Sequence, residues 1–150
     1  MSDETVTITA HDDVPAAEGG LVDTGLGDHN EAAAPLHEVR RLSCFARAAG
    51  GEVVGGVVGR TWGAAAEIQQ LWVAPAHRRR GLGARLVRAF EQHAHERGCR
   101  SFHVETFSFQ APRLYESLGY RTAFALSVYP HGVVRYTMVR EASPETGGRQ

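Results

Sequence analysis

One junction in the middle of the chain limits the fold more than any other feature. Glu67 to Val73 is an apolar run bounded by Pro75, which reads as a strand that must stop there. Arg78-Arg79-Arg80-Gly81-Leu82-Gly83-Ala84 follows. Gly81 to Arg97 then places Leu82, Leu86, Val87, Phe90 and Ala94 on one helical face, with Arg85, Arg88, Glu91, Gln92 and His95 elsewhere. A strand that feeds a basic, glycine-bearing loop into a helix builds an anion site from backbone N–H groups and the positive end of the helix dipole. The glycines would let a bulky diphosphate approach the main chain where a Cβ would collide, and the arginines can add charge-assisted hydrogen bonds.

Around this junction the pattern is that of an α+β domain. Thr5 to Ala10 alternates apolar and polar residues, as a short half-buried strand opening the sheet would. Pro15 to about Ala34 is expected to be broken helix and loop, because Gly19, Gly20, Gly25 and Gly27 each weaken a helix. Alternation returns from Glu38 to Ala48, and Gly50-Gly51 supplies a hairpin turn into Val53 to Arg60. The Glu67–Val73 strand is the fourth in this reading. Gly98 caps the long helix, Ser101 to Phe107 is the fifth strand, and Pro112 starts a short helix that Gly119 closes. Arg121 to Val128 and Val133 to Val139 form a final hairpin about Tyr129-Pro130-His131-Gly132. Residues 1–141 read as one domain, and 142–150, with no apolar period, as a disordered tail.

Composition removes several function classes. All 16 residues counted as Lys+Arg are arginine, so no lysine is available for a nucleotide-binding P-loop or a Schiff base. A formal charge of -1 gives no global field for a polyanion, which argues against nucleic acid. Cys44 and Cys99 stand far apart, which fits reduced thiols and argues against structural zinc. No window is long and apolar enough for a membrane span, and the acidic start lacks a signal-peptide pattern, so a cytoplasmic protein is expected. The eight histidines suggest no metal: His93 and His95, two apart on a helix, point in different directions.

Two separated motifs make the junction specific. The loop carries Arg78-x-x-Gly81-x-Gly83, and Leu114-Tyr115-Glu116-Ser117-Leu118-Gly119-Tyr120 stands further on. On these residues the chain resembles the GNAT superfamily of N-acetyltransferases, whose loop reads Arg/Gln-x-x-Gly-x-Gly/Ala and whose later segment commonly reads Leu-Tyr-Glu-x-Leu-Gly-Phe/Tyr. The resemblance is firm from about Ala66 to Tyr120 and thin before Leu36. It implies the GNAT fold: a mixed central sheet of about six to seven strands, splayed between the fourth and fifth and flanked by about four helices. It also implies acetyl-CoA as co-substrate and direct attack of a primary amine in a ternary complex.

Carried over by residue, the resemblance implies that backbone amides around Arg79, Arg80, Gly81, Leu82, Gly83 and Ala84 hold the pyrophosphate beside Arg78. Leu71, Trp72 and Val73 would pair with the pantetheine arm as a pseudo-strand, with Ser108, Ala111 and Tyr115 also at the cofactor. The Val73 N–H would stabilise the oxyanion and the Tyr115 hydroxyl would protonate the departing sulfur. Glu67, fourteen residues before Gly81, is the candidate base acting through water, with Glu105 in reserve, although some members of the family use no enzymic base. Where that family often has Asn before the short helix, Phe107-Ser108-Phe109-Gln110 stands here, so Ser108 or Gln110 would substitute. The acceptor amine is expected between Asp23, Asp28, His29, Glu31, Trp62 and the hairpin near Tyr129. Acid plus aromatic favours a small cationic amine over a peptide amine. The family also suggests a homodimer. The competing reading is a catalytically silent acyl-CoA-binding sensor or interaction module, which an intact Tyr115 opposes.

Overall fold

The computed structural model of the protein describes residues 5–142. The tail expected over 142–150 lies outside them except for Ala142, whose N–H donates to the Arg100 carbonyl at 2.7 Å. The chain divides into two compact units, Met1–His37 and Glu38–Gln150. In the first, α1 runs unbroken over Ala16–Ala33, and none of its residues is buried. Its glycines do not interrupt it, because each costs about 1 kcal/mol relative to alanine yet keeps its N–H and carbonyl available to the helix. The strand expected over Thr5–Ala10 does not form: these residues are irregular, with Val6 and Ile8 exposed. Alternation over so short a stretch marks a half-buried face only where a neighbouring strand receives it.

The second unit contains β1 (Arg40–Arg47), β2 (Val53–Trp62), β3 (Ala65–Val73), α2 (Leu82–Glu96), β4 (Ser101–Phe107), α3 (Pro112–Ser117), β5 (Arg121–Leu126) and β6 (Arg135–Glu141). The sheet order is β1-β2-β3-β4-β6-β5, with every neighbouring pair antiparallel except β3 and β4. A parallel pair needs a crossover, and α2 supplies it. The mixed sheet agrees with the expected fold, but the described residues hold three α-helices rather than about four. With Thr5–Ala10 removed, the strands counted fourth and fifth from sequence are β3 and β4. No helix among the described residues is long and apolar enough to cross a membrane.

Helix α2 lies against β1, β2 and β3 and buries Leu86, Val87, Phe90 and Ala94. Phe90 rests on Gly59 of β2, where a Cβ would lie 2.8 Å from the Phe90 Cζ and would collide with the Glu67 carbonyl. Glu91, expected off the apolar face, is instead buried, at 6% exposure. Its carboxylate is held by partners from other elements, which no helical periodicity reveals. Phe102, Val104 and Met138 complete the core from β4 and β6.

Candidate active site

The site begins where two strands part. The parallel ladder joins only Ala65–Ile68 to Ser101–Val104. On the other edge of β3 the pairing passes from Val58↔Gln70 to Gly59↔Ile68, which leaves Gln69 as the extra residue of a β-bulge. A bulge bends and twists its strand, so β3 leaves β4 just beyond Ile68, while β4 keeps pairing with β6 as far as Phe107↔Arg135. The Ala74 N–H donates to the Val54 carbonyl on β2 at 2.8 Å. By the alternation of an antiparallel ladder, the N–H groups of Val73 and Leu71 therefore face the opening. A cavity of about 1010 Å³ fills it, bordered by residues 68–73 of β3, residues 104–107 of β4, and Ala111, Leu114 and Tyr115.

A second hollow, of about 280 Å³, adjoins the first at Val73, Arg78, Gly83 and Leu114 and is otherwise bordered by His77, Arg79, Gly81, Leu82 and Ala84. Gly81 is the N-cap of α2 in the left-handed region, at φ 74, and no side chain caps the helix. Arg79 also has positive φ, at 64. Among the described residues, none of the amides from Arg79 to Ala84 donates to a main-chain carbonyl. Six open donors and a helix dipole at one place make an anion site. Arg78 locks the strand end to the loop, its Nε donating to the Val73 carbonyl at 2.9 Å. The two glycines serve different ends: Gly81 takes a backbone angle that a side chain resists, and Gly83 leaves room for Leu114, whose Cδ2 would stand 3.2 Å from an added Cβ. The Arg80 side chain is exposed and borders neither hollow.

Tyr115 borders the cavity yet is only 3% exposed. Burial pushes its phenol up to about 12, because the anion would lose solvation. Its ring meets Tyr120 edge-on, with centroids 5.4 Å apart. Burial first, then the hydrogen bond to Glu91, pushes the Tyr120 phenol higher still.

The remaining expected residues fall in different places. Glu67 does not border the cavity: it accepts from Arg60 Nε at 2.7 Å and stands 3.9 Å from His103 Nε2. Glu105 does border it, paired with Arg135. Ser108 is turned to the sheet, its Oγ accepting the Val134 N–H at 3.0 Å. Gln110 lies on the wall with its Oε1 taken by the Phe107 N–H at 2.8 Å. Asp23, Asp28, His29 and Glu31 lie on α1 of the first unit, and Trp62 ends β2 away from the cavity. Tyr129 meets Phe107 edge-on at 5.6 Å, and its hydroxyl accepts from Arg135 at 3.3 Å. Sequence reasoning missed Phe45, Phe109 and Arg135 on the wall. Phe45 and Arg135 lie in strands and Phe109 in the turn after β4, and neither strand alternation nor turn composition says which side chains face a void. Among the described residues, no group of His, Cys, Asp and Glu converges as a metal site.

The Acetyltransferase (GNAT) family pattern matches residues 16–120. The blasticidin-S acetyltransferase of Streptomyces morookaense is 39% identical over 111 residues, covering 71% of this chain and 82% of that protein. An acetyltransferase of Agrobacterium fabrum is 33% identical over 81 residues, or 54% of this chain and 59% of that one. The crystal structure of an acetyltransferase from Bacillus cereus superposes with a TM-score of 0.75 at 26% identity, covering 89% of this chain and 97% of its own. Family pattern, relatives and fold agree with the parted strands and the open helix N-terminus: the chain belongs to the GNAT family of acetyltransferases.

Proposed function

We propose that the protein transfers the acetyl group of acetyl-CoA to a primary amine of a small cationic compound, by direct attack within a ternary complex. The observation that carries the reading is the main-chain edge of β3 left unpaired beyond Ile68, which leads through a single turn at Pro75–His77 and the Arg78–Gly81 loop to the uncapped start of α2. An extended pantetheine arm can add to that edge as a strand would, and its diphosphate can meet the amides of Arg79 to Ala84 with Arg78 alongside. Leu71, Trp72 and Val73 supply the edge, and Ala111 and Tyr115 close the far wall.

The reaction needs a neutral amine, a donor for the oxyanion and a proton for sulfur. The amine nitrogen bonds to the thioester carbon, the Val73 N–H holds the oxyanion, the carbon–sulfur bond breaks, and Tyr115 gives its proton to the thiolate. The proton lost by the amine goes to a carboxylate at the vertex of the opening. Glu105 lies on the cavity wall, and Glu67 stands one rung behind the last rung of the β3–β4 ladder, paired with Arg60. Because a relative acetylates blasticidin S, that antibiotic heads the acceptor panel, with polyamines and peptide amines as comparisons. Release of free coenzyme A in the presence of a small amine is the expected result, and an absence of turnover across the panel would overturn the reading. Tyr115→Phe is expected to lower kcat roughly 10²-fold with little change in the KM for acetyl-CoA.

A further inference from the structure

We infer that Tyr120 and Glu91 are positioning residues that fix the Tyr115 hydroxyl at the sulfur, an inference that rests on Tyr115 as the proton donor. Helix α3, which carries Tyr115, has only six residues, and so short a helix holds no geometry by itself. Tyr115 therefore depends on what packs against it, and Tyr120 is its aromatic neighbour, meeting it at an interplanar angle of 69°. Tyr120 is in turn anchored at its own hydroxyl, which donates to Glu91 Oε2 at 2.7 Å.

Glu91 is fixed from two sides. Arg88 Nη1 reaches its Oε1 at 2.7 Å from the same helix, and Arg140 Nη1 stands 3.4 Å from its Oε2 on β6. A second nitrogen of Arg88 donates to the Leu118 carbonyl, just past the end of α3, at 3.1 Å. One carboxylate thus ties α2, β6 and the exit of α3 into a frame, and the Tyr120 ring carries that frame to Tyr115. Stability alone explains the cluster poorly, because replacing buried ion pairs with well-packed apolar residues is often neutral or stabilising. Placement explains it better, since errors of about 1 Å in a reacting group cost rate steeply. Phenylalanine at 120 would fill the same space and lose only the anchor.

The test is a cycle of four proteins: the natural chain, Tyr115→Phe, Tyr120→Phe and the double variant, each assayed for kcat and for the acetyl-CoA KM. Tyr120→Phe is expected to lower kcat roughly 10-fold at unchanged KM, and to cause no further loss once Tyr115 is already phenylalanine. An equal fractional loss in both backgrounds would show a merely structural role and overturn the inference, as would an unchanged kcat in Tyr120→Phe. A Tyr115→Phe protein with full kcat would instead overturn the assignment of Tyr115, and this inference with it. If Tyr120→Phe does not fold by thermal unfolding, Glu91→Met, which removes the acceptor of the Tyr120 hydroxyl at similar volume, replaces it in the same cycle and is read by the same criteria.

Discussion

At the scale of single residues, the chemistry turns on protons held in apolar surroundings. Because burial pushes Tyr115 up to about 12, the hydroxyl stays protonated where a free tyrosine, at about 10, would begin to ionise. We expect kcat to show no descending alkaline limb below about pH 10, and a profile measured to that point checks it. A fall near about pH 9 that vanishes in Tyr115→Phe would contradict the raised value while still marking Tyr115 as the acid. The raised value also adds stability that is fully present below about pH 10 and lost as the pH rises through about 12. For the amine's proton, Glu105→Gln is expected to shift the acidic limb of the rate profile more than Glu67→Gln, because only Glu105 lies on the cavity wall. A larger shift in Glu67→Gln would move the base one strand over. The place of Tyr115 on the cavity wall was legible in the sequence because its motif is contiguous. The engagement of Ser108 with Val134 and the burial of Glu91 were not, since each depends on a partner brought in by a distant element.

Elements were legible where their signals are local. The β1–β2 hairpin turns at a Gly-Gly pair, and α2 shows its face in its spacing and its end at Gly98, which adopts φ 94. The N-terminal stretch misled in both directions, because alternation there had no partner strand and glycine-weakened helix proved continuous. The bulge at Gln69 left no trace in the sequence, although it opens the site: nothing in Ile68-Gln69-Gln70 announces a residue that β2 skips. The same region predicts a severe variant. Gly59→Ala would drive a Cβ into Phe90 and the Glu67 carbonyl, both parts of the packed frame. Overpacking against main chain cannot relax by a rotamer change, so we expect a loss of about 3 kcal/mol or more in urea unfolding. A loss below about 1 kcal/mol would mean that β2 and α2 shift apart easily.

At the scale of the whole molecule, the fold class and the position of the opening were legible because the two motifs carry the family resemblance, which implies which strands part. The helix count and the acceptor's surroundings were not, since they depend on long-range packing. Binding should feed back on stability. A ligand held at 100 times its Kd stabilises the folded state by about 2.7 kcal/mol, or roughly 5–10 °C in Tm for a chain of this size. Coenzyme A in a thermal unfolding assay is expected to give a rise of that order, and no rise would contradict the cofactor assignment. The ladder of four residue pairs between β3 and β4 carries one more consequence. It is the shortest seam in the sheet, and its missing rungs are those that a guest backbone would supply. Occupancy should therefore slow amide hydrogen exchange at Leu71 and Val73 first, so that the enzyme is most firmly knit while it is loaded and loosest when it must let its product go.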